Sequence, residues 1–140
     1  MKNYELIEHT ADIGIKVYAK DLKQLFVNAA SGMFDIIAER KSGIGSRLNK
    51  SAIKINKEAP NLEELLVVWL SELLFLYNTK EIIFNNFNIK KLTDQDIDAA
   101  VSGKAIANYR INTEIKAVTY HDLKIEKTKK GFQARVIFDV

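Results

Sequence analysis

The sequence predicts an α+β fold in which two helices pack on one face of a mainly antiparallel β-sheet. Apolar residues recur at three- and four-residue steps over 22–37 and 62–79, which is the spacing of helices that bury at least one face. From Glu81 onward, apolar and polar residues alternate in a series of segments, which is typical of strands. Helices early and a run of antiparallel strands late indicate the α+β class.

The chain has the length and composition of one domain, 1–140. It is 140 residues long, 47% hydrophobic and 28% charged, and it contains no internal repeat or linker-like segment. It has no cysteine, which excludes disulfides and zinc–thiolate sites. Its 21 basic and 18 acidic residues give a net charge of +3, which is too balanced to indicate a nucleic-acid binder by itself.

The sequence favours a cytoplasmic location. The N-terminal residues MKNYELIEH lack the apolar run of a signal peptide. The most apolar segment, LEELLVVWLSELLFLY, is interrupted by three glutamates and falls short of the ~20 apolar residues that span a membrane. We therefore expect no membrane partner.

A hairpin opens the chain. Residues 4–8 alternate as a first strand, HTAD (9–12) supplies the turn, and GIKVYA (14–19) forms the second strand. Asp12 has an ordinary structural interpretation here, because an aspartate in a turn commonly bonds its own backbone two residues on. His9 has no such explanation, since a plain turn needs no imidazole.

Both predicted helices begin with the residues of a capping box. Asp21 precedes the first helix as its N-cap, with Gln24 as the reciprocal partner three residues on. Asn61 and Glu64 have the same relation at the start of the second helix. This second helix is apolar on nearly all sides, so we expect it to be central and mostly buried.

The remaining strands are predicted from alternation alone. A strand at 51–58 lies between the two helices, and four segments follow the second helix: EIIFNNFNIKKLT, DIDAAVSGKAIA, TEIKAVTYHDLKIEK and FQARVIFDV. The last two are joined by KTKKG, which is typical of a hairpin connection. Continuous alternation over 115–127 places His121 on the apolar face and Asp122 on the other. His121 is then either a buried neutral imidazole bonded to backbone or a hydroxyl, or a group that holds a ligand carboxylate.

The C-terminal strand carries two negative groups at its end. Its alternating apolar residues hold the chain to the sheet almost to the last atom, so the side chain of Asp139 and the main-chain carboxylate of Val140 emerge together. Two such groups repel each other unless a positive charge lies between them. Calcium and magnesium take oxygen ligands of this kind. Asp12 would add a third carboxylate, although sequence spacing alone does not place it beside Asp139.

Three segments, taken together, resemble the archease family. HTADIGI (9–15), IKAVTYHDLKIE (115–126) and the terminal FDV match that family's characteristic segments in order, and the LEELLVVWLSELLFLY helix is also similar. The resemblance covers nearly the whole chain. It implies an archease-like two-layer sandwich of helices and sheet.

The resemblance also implies a function and a site. Archeases are non-catalytic activators of the RtcB-type tRNA-splicing ligase, which joins RNA ends through a guanylylated histidine; they promote that guanylylation and multiple turnover. The family pattern puts the metal ligands on Asp12, Asp139 and the carboxylate of Val140, with Ca²⁺ as the usual ion and Mg²⁺ or Mn²⁺ as alternatives. His9, His121 and Asp122 become candidates for supporting this site or contacting the partner, and RNA is expected to be reached only through the ligase.

One segment departs from the family pattern, and two other functions remain open. GKAIANYRINTE (103–114) lacks the acid, proline and histidine that relatives carry in a longer loop. A small RNA-binding module would use the basic segments 39–50 and 124–131 and would bind RNA in a salt-sensitive way. A metal-dependent phosphoesterase would use Asp12 and Asp139 with His9 or His121 as general base.

Overall fold

The α+β class is confirmed by a computed structural model that describes residues 3–8, 12–41 and 48–140. Within these ranges the chain forms two α-helices, ten strands and one short 3₁₀ turn. The elements in order are β1 (Tyr4–Glu8), β2 (Asp12–Ala19), α1 (Leu22–Ile37), β3 (Ala38–Arg40), β4 (Ile53–Glu58), α2 (Leu62–Lys80), β5 (Ile82–Leu92), β6 (Asp96–Ala105), the 3₁₀ turn (Ile106–Asn108), β7 (Tyr109–Ile111), β8 (Ala117–Val118), β9 (Lys124–Thr128) and β10 (Gly131–Asp139).

The strands of the described part divide among three antiparallel sheets. The largest has the order β1-β2-β10-β8, and β9 pairs with the other half of the β10 edge that β8 occupies. A second sheet has the order β4-β6-β5, and β3 and β7 form the third. Within the segment that departs from the family pattern, 103–114, β6 ends, the 3₁₀ turn follows, and β7 continues to its pairing with β3.

Both helices begin at the predicted caps. The side chain of Asp21 accepts from the backbone N–H of Gln24 at 2.8 Å. The side chain of Asn61 accepts from the backbone N–H of Glu64 at 2.9 Å, and its amide, in place of the backbone N–H of a capping box, donates to the Glu64 carboxylate at 3.0 Å. Gln24 differs from the prediction, because its amide donates to Asn28 at 2.7 Å instead of reaching back to the cap.

The core lies around the two helices, which contact strands of both larger sheets. Trp69 of α2 is fully buried, and its indole N–H donates to the carbonyl of Phe26 in α1 at 3.0 Å, which fixes the helices against each other. Phe75 is an exception to the expected burial of α2, since it is 57% exposed. Among the described residues, no helix is both long and apolar enough to cross a membrane.

The predicted continuous strand over 115–127 is wrong. β8 ends at Val118, and a turn separates it from β9. At the end of β8, the backbone N–H and the hydroxyl of Thr119 both donate to the carbonyl of Ile137, at 3.0 Å and 2.9 Å. Asp122 completes the turn with a positive φ of 51°. β8 and β9 both pair antiparallel with β10 and therefore run in the same direction, so the residues 119–123 between them leave the sheet and return to it, although alternation in the sequence continues.

Candidate functional site

The site begins with the pairing of β10 against β2. The two strands are antiparallel from Phe132 opposite Ala19 to Asp139 opposite Asp12. Residues directly opposite in such a ladder project from the same face, with Cβ atoms about 4.5–5.5 Å apart. Asp12 and Asp139, the carboxylate pair, are therefore brought together from the two ends of the chain.

The end of β10 is held firmly on both sides. Phe138 is fully buried, with Ile13 opposite it on β2 and Val118 opposite it on β8. The carbonyl of Asp139 accepts from the backbone N–H of Lys116 at 2.8 Å. Since the backbone is held by hydrogen bonds up to Asp139, the strand end that carries the carboxylate pair is fixed in position.

Close packing continues one row inside the pair, where Gly14 lies opposite Ile137. A Cβ atom at residue 14 would lie 2.6 Å from Cδ1 of Ile137. The Ile137 side chain is therefore accommodated by the missing side chain at residue 14, and it is almost fully buried. This uncharged row separates the carboxylate pair from the rest of the polar face.

The carboxylate pair has the chemistry of a hard-cation site. Like charges directly opposite on antiparallel strands destabilise the pairing, and a cation between them removes the repulsion. Asp139 is exposed and Asp12 half-buried, so an ion from solvent can reach the pair. In the described ranges, no three His, Cys, Asp or Glu side chains come together around a common point. An ion here would thus take two aspartates and complete its shell from other oxygens, such as a main-chain carboxylate and water.

His121 lies in the turn, and the prediction of a buried imidazole on the apolar face is wrong. Its side chain is 66% exposed, and Nε2 lies 3.5 Å from Oδ2 of Asp122. Its backbone N–H donates to the hydroxyl of Thr119 at 3.2 Å, so the turn that carries it is tied to Ile137, two residues before Asp139. A supporting role for His121 and Asp122 stays a prediction. The other candidate, His9, lies outside the described residues.

Sequence reasoning missed a second charged feature on the same face, the basic row formed by Lys16, Arg135 and Lys124. Arg135 of β10 lies opposite Lys16 on β2 and opposite Lys124 on β9. Strand alternation puts this row on the face of Asp139, four residues and about 14 Å along β10. Lys124 belongs to the predicted basic segment 124–131, but its two neighbours come from elsewhere in the chain. Only the register of the strands reveals the row.

Comparisons with known proteins show the family to which the chain belongs. The sequence model of the archease protein family matches residues 4–140. Protein archease of Methanosarcina acetivorans is 40% identical over 145 residues, covering 99% of this chain and 97% of that protein. Protein archease of Pyrococcus furiosus is 34% identical over 147 residues and covers all of both chains.

Solved structures with the same fold give the same picture. The solution structure of protein 1598 of Methanobacterium thermoautotrophicum superposes with a TM-score of 0.76 at 32% identity, over the whole of both chains. A crystal structure of an archease and possible chaperone from Thermotoga maritima superposes with a TM-score of 0.66 at 20% identity, over 96% of this chain and 94% of that one. The second likeness bears on the fold alone.

Proposed function

Because the chain belongs to the archease family, we propose that it activates an RtcB-type tRNA-splicing RNA ligase in the cytoplasm. It promotes guanylylation of the ligase histidine and multiple turnover in RNA ligation, as an accessory protein and not as the enzyme. The observation that carries this proposal is the register that puts Asp12 opposite Asp139 at a strand end.

The proposed site consists of Asp12, Asp139 and the main-chain carboxylate of Val140. These oxygens suit Ca²⁺, which the family resemblance favours, and also Mg²⁺ or Mn²⁺. These residues would hold a divalent ion, which would supply positive charge for phosphate oxygens. The chain contributes orientation, since the Phe138 anchor and the Lys116 hydrogen bond fix the strand end before the partner arrives. Positioning of this kind needs no nucleophile in the activator.

The partner surface differs in one respect from that of typical relatives. The segment 103–114 lacks the family's loop residues and is committed to the 3₁₀ turn and to the β3–β7 pairing. Contacts that relatives make through that loop are therefore not part of this proposal, which depends on the carboxylate pair.

The test is guanylylation of the organism's own ligase by labelled GTP, with RNA omitted and with wild-type protein or variants added. We expect Asp12→Asn and Asp139→Asn to abolish stimulation. Asp94→Asn is the matched control, because this aspartate is exposed in the β5–β6 turn, and it should stimulate like wild type. The two site variants should also melt no lower than wild type in metal-free buffer, because each removes a like-charge repulsion of about 0.2–1 kcal/mol.

Full stimulation by both site variants would contradict the proposal. Incubation of the purified protein with RNA and Mg²⁺ or Mn²⁺, without ligase, provides the second arm. Turnover in that reaction, lost in the same variants, would support the phosphoesterase alternative and overturn the accessory role.

A further inference from the structure

The basic row places like charges directly opposite each other, and the one acid of the described strands that lies opposite a member of the row is Glu5, across from Lys16 on β1. Arg135 has a lysine directly opposite on each side, and like charges in that position destabilise a sheet. Among the described residues, neither Lys16 nor Arg135 has a carboxylate oxygen within 4.0 Å, whereas Lys124 lies 3.4 Å from Glu126. Two of the three positive charges thus lack close compensation from the described protein.

The row lines a groove of about 440 Å³, together with Gln133 and two acids, Asp122 and Glu126. Glu126 lies 3.4 Å from Lys124, and Asp122 lies 3.5 Å from the imidazole of His121, which compensates its charge only when it is protonated. Glu5, opposite Lys16 on β1, accepts the Tyr18 hydroxyl at 3.4 Å. The three cations and two acids that line the groove give it a formal charge of +1, and Arg135 lies at the centre of the basic row.

An exposed aromatic ring lies beside the row. Tyr18 follows Lys16 on the same face of β2, opposite Gln133, and is 37% exposed. Cationic side chains that follow a backbone, next to a ring on which a base can stack, characterise single-stranded nucleic-acid sites. An acidic protein surface would satisfy the cations but would gain little from the ring.

We infer that this face of the sheet binds single-stranded RNA. Backbone phosphates lie on Lys16, Arg135 and Lys124, and one base stacks on Tyr18. A strand that continues along β10 from Arg135 reaches the carboxylate pair about 14 Å away. The inference rests on the proposed function only for the identity of the RNA, a substrate of the ligase, and it is an alternative to the expectation that RNA is reached solely through the ligase.

The test measures binding of the protein alone to a fluorescent oligouridylate of about 12 nucleotides, by anisotropy at several salt concentrations. We expect Lys16→Gln/Arg135→Gln to weaken binding about tenfold or more at low salt, and to reduce the slope of log K against log salt by about 1.4. The matched control, Lys127→Gln/Lys129→Gln, removes the same charge from the β9–β10 hairpin outside the groove and should change affinity less than about threefold. Tyr18→Ser should weaken binding about fivefold or more, and Tyr18→Phe should bind like wild type, because the ring is kept.

Each other outcome overturns the inference. Absence of RNA binding by the wild-type protein at low salt would do so, and so would equal losses in the groove and hairpin variants, since these would indicate general charge attraction. Competition by polyglutamate equal to that by RNA, with both Tyr18 variants unchanged, would mean that the row takes an acidic protein surface. Because this experiment contains no ligase and the guanylylation assay contains no RNA, the two proposals can fail separately.

Discussion

Two sites on one face of the β2–β10 pair each place like charges directly opposite one another, negative charges at one site and positive charges at the other. Asp12 faces Asp139 at the end of the ladder, and Lys16 faces Arg135 four residues further along β10. They cannot neutralise each other well, because about 14 Å separates them, which exceeds the Debye length of about 8–10 Å at moderate salt. The uncharged Gly14–Ile137 row lies between them.

The difference between the two places lies in what each can bind. The carboxylate pair lies at a strand end, presents oxygens only, and suits a small hard cation. The basic row spans three strands in a groove beside Tyr18 and suits an extended anion with bases. A ligand with phosphates and a divalent ion would match both.

We expect the largest effect from removing Phe138, which anchors the strand end that carries the carboxylate pair. Phe138→Ala leaves a cavity at a fully buried position and should lower the free energy of unfolding by about 3–5 kcal/mol, measured by urea denaturation. Phe132→Ala, at the half-buried start of the same strand, should cost clearly less. Equal costs for the two variants would mean that the strand end is not specially anchored.

A change at the end of the chain tests the third ligand. Appending one glycine after Val140 moves the main-chain carboxylate away and should weaken Ca²⁺ affinity about tenfold, measured by calorimetric titration, as loss of one charged ligand implies. Val140→Ala keeps that carboxylate and should retain most of the affinity. If the glycine extension binds Ca²⁺ like wild type, the site consists of the two aspartates alone.

A charge reversal at the basic row should stabilise the protein while removing RNA binding. Arg135→Glu converts two repulsive cross-strand pairs into attractive ones, each worth about 0.2–1 kcal/mol, and should raise the free energy of unfolding by about 1 kcal/mol at low salt. Arg135→Gln should give about half of that gain. Thermal denaturation at two salt concentrations measures both, and destabilisation by Arg135→Glu would show that the row is not under repulsion.

The corresponding reversal at the acidic end involves only one pair and should have the smallest effect. Asp12→Lys should stabilise the metal-free protein by about 0.5 kcal/mol through an attractive pair with Asp139. The same thermal denaturation, repeated with Ca²⁺, should show no further gain for this variant and a clear gain for wild type. A Ca²⁺-dependent gain in Asp12→Lys would locate the ion elsewhere.

The helices were predictable because their signals are local. Asp21 and Asn61 cap helices whose apolar spacing runs to Ile37 and Lys80, within a residue of the prediction. The break in the 115–127 segment was not predictable from alternation, since apolar and polar residues keep alternating through the turn between β8 and β9. β3 and β7, with three residues each, are too short to give a period.

The candidate site is formed by the register between strands that are far apart in the sequence. No local sequence pattern predicts that register. Residue types and the family resemblance identified Asp12 and Asp139, but only the β2–β10 pairing brings them opposite each other. The basic row as a whole gave no signal, because its members are separated by 108 and 11 positions along the chain, from Lys16 to Lys124 and from Lys124 to Arg135. Lysine-rich segments of the sequence therefore did not predict which basic side chains lie next to each other on the sheet.

The most direct test of the central claim is calorimetric titration of Ca²⁺ into the wild-type protein, Asp12→Asn, Asp139→Asn and the Asp94→Asn control. One ion should bind to wild type and to Asp94→Asn, and each site variant should lose most of that binding. The double variant should be no worse than either single one, because both side chains serve the same ion. Undiminished Ca²⁺ binding by Asp139→Asn, or no binding of Ca²⁺, Mg²⁺ or Mn²⁺ by wild type, would contradict the claim that Asp12 and Asp139 form one metal site.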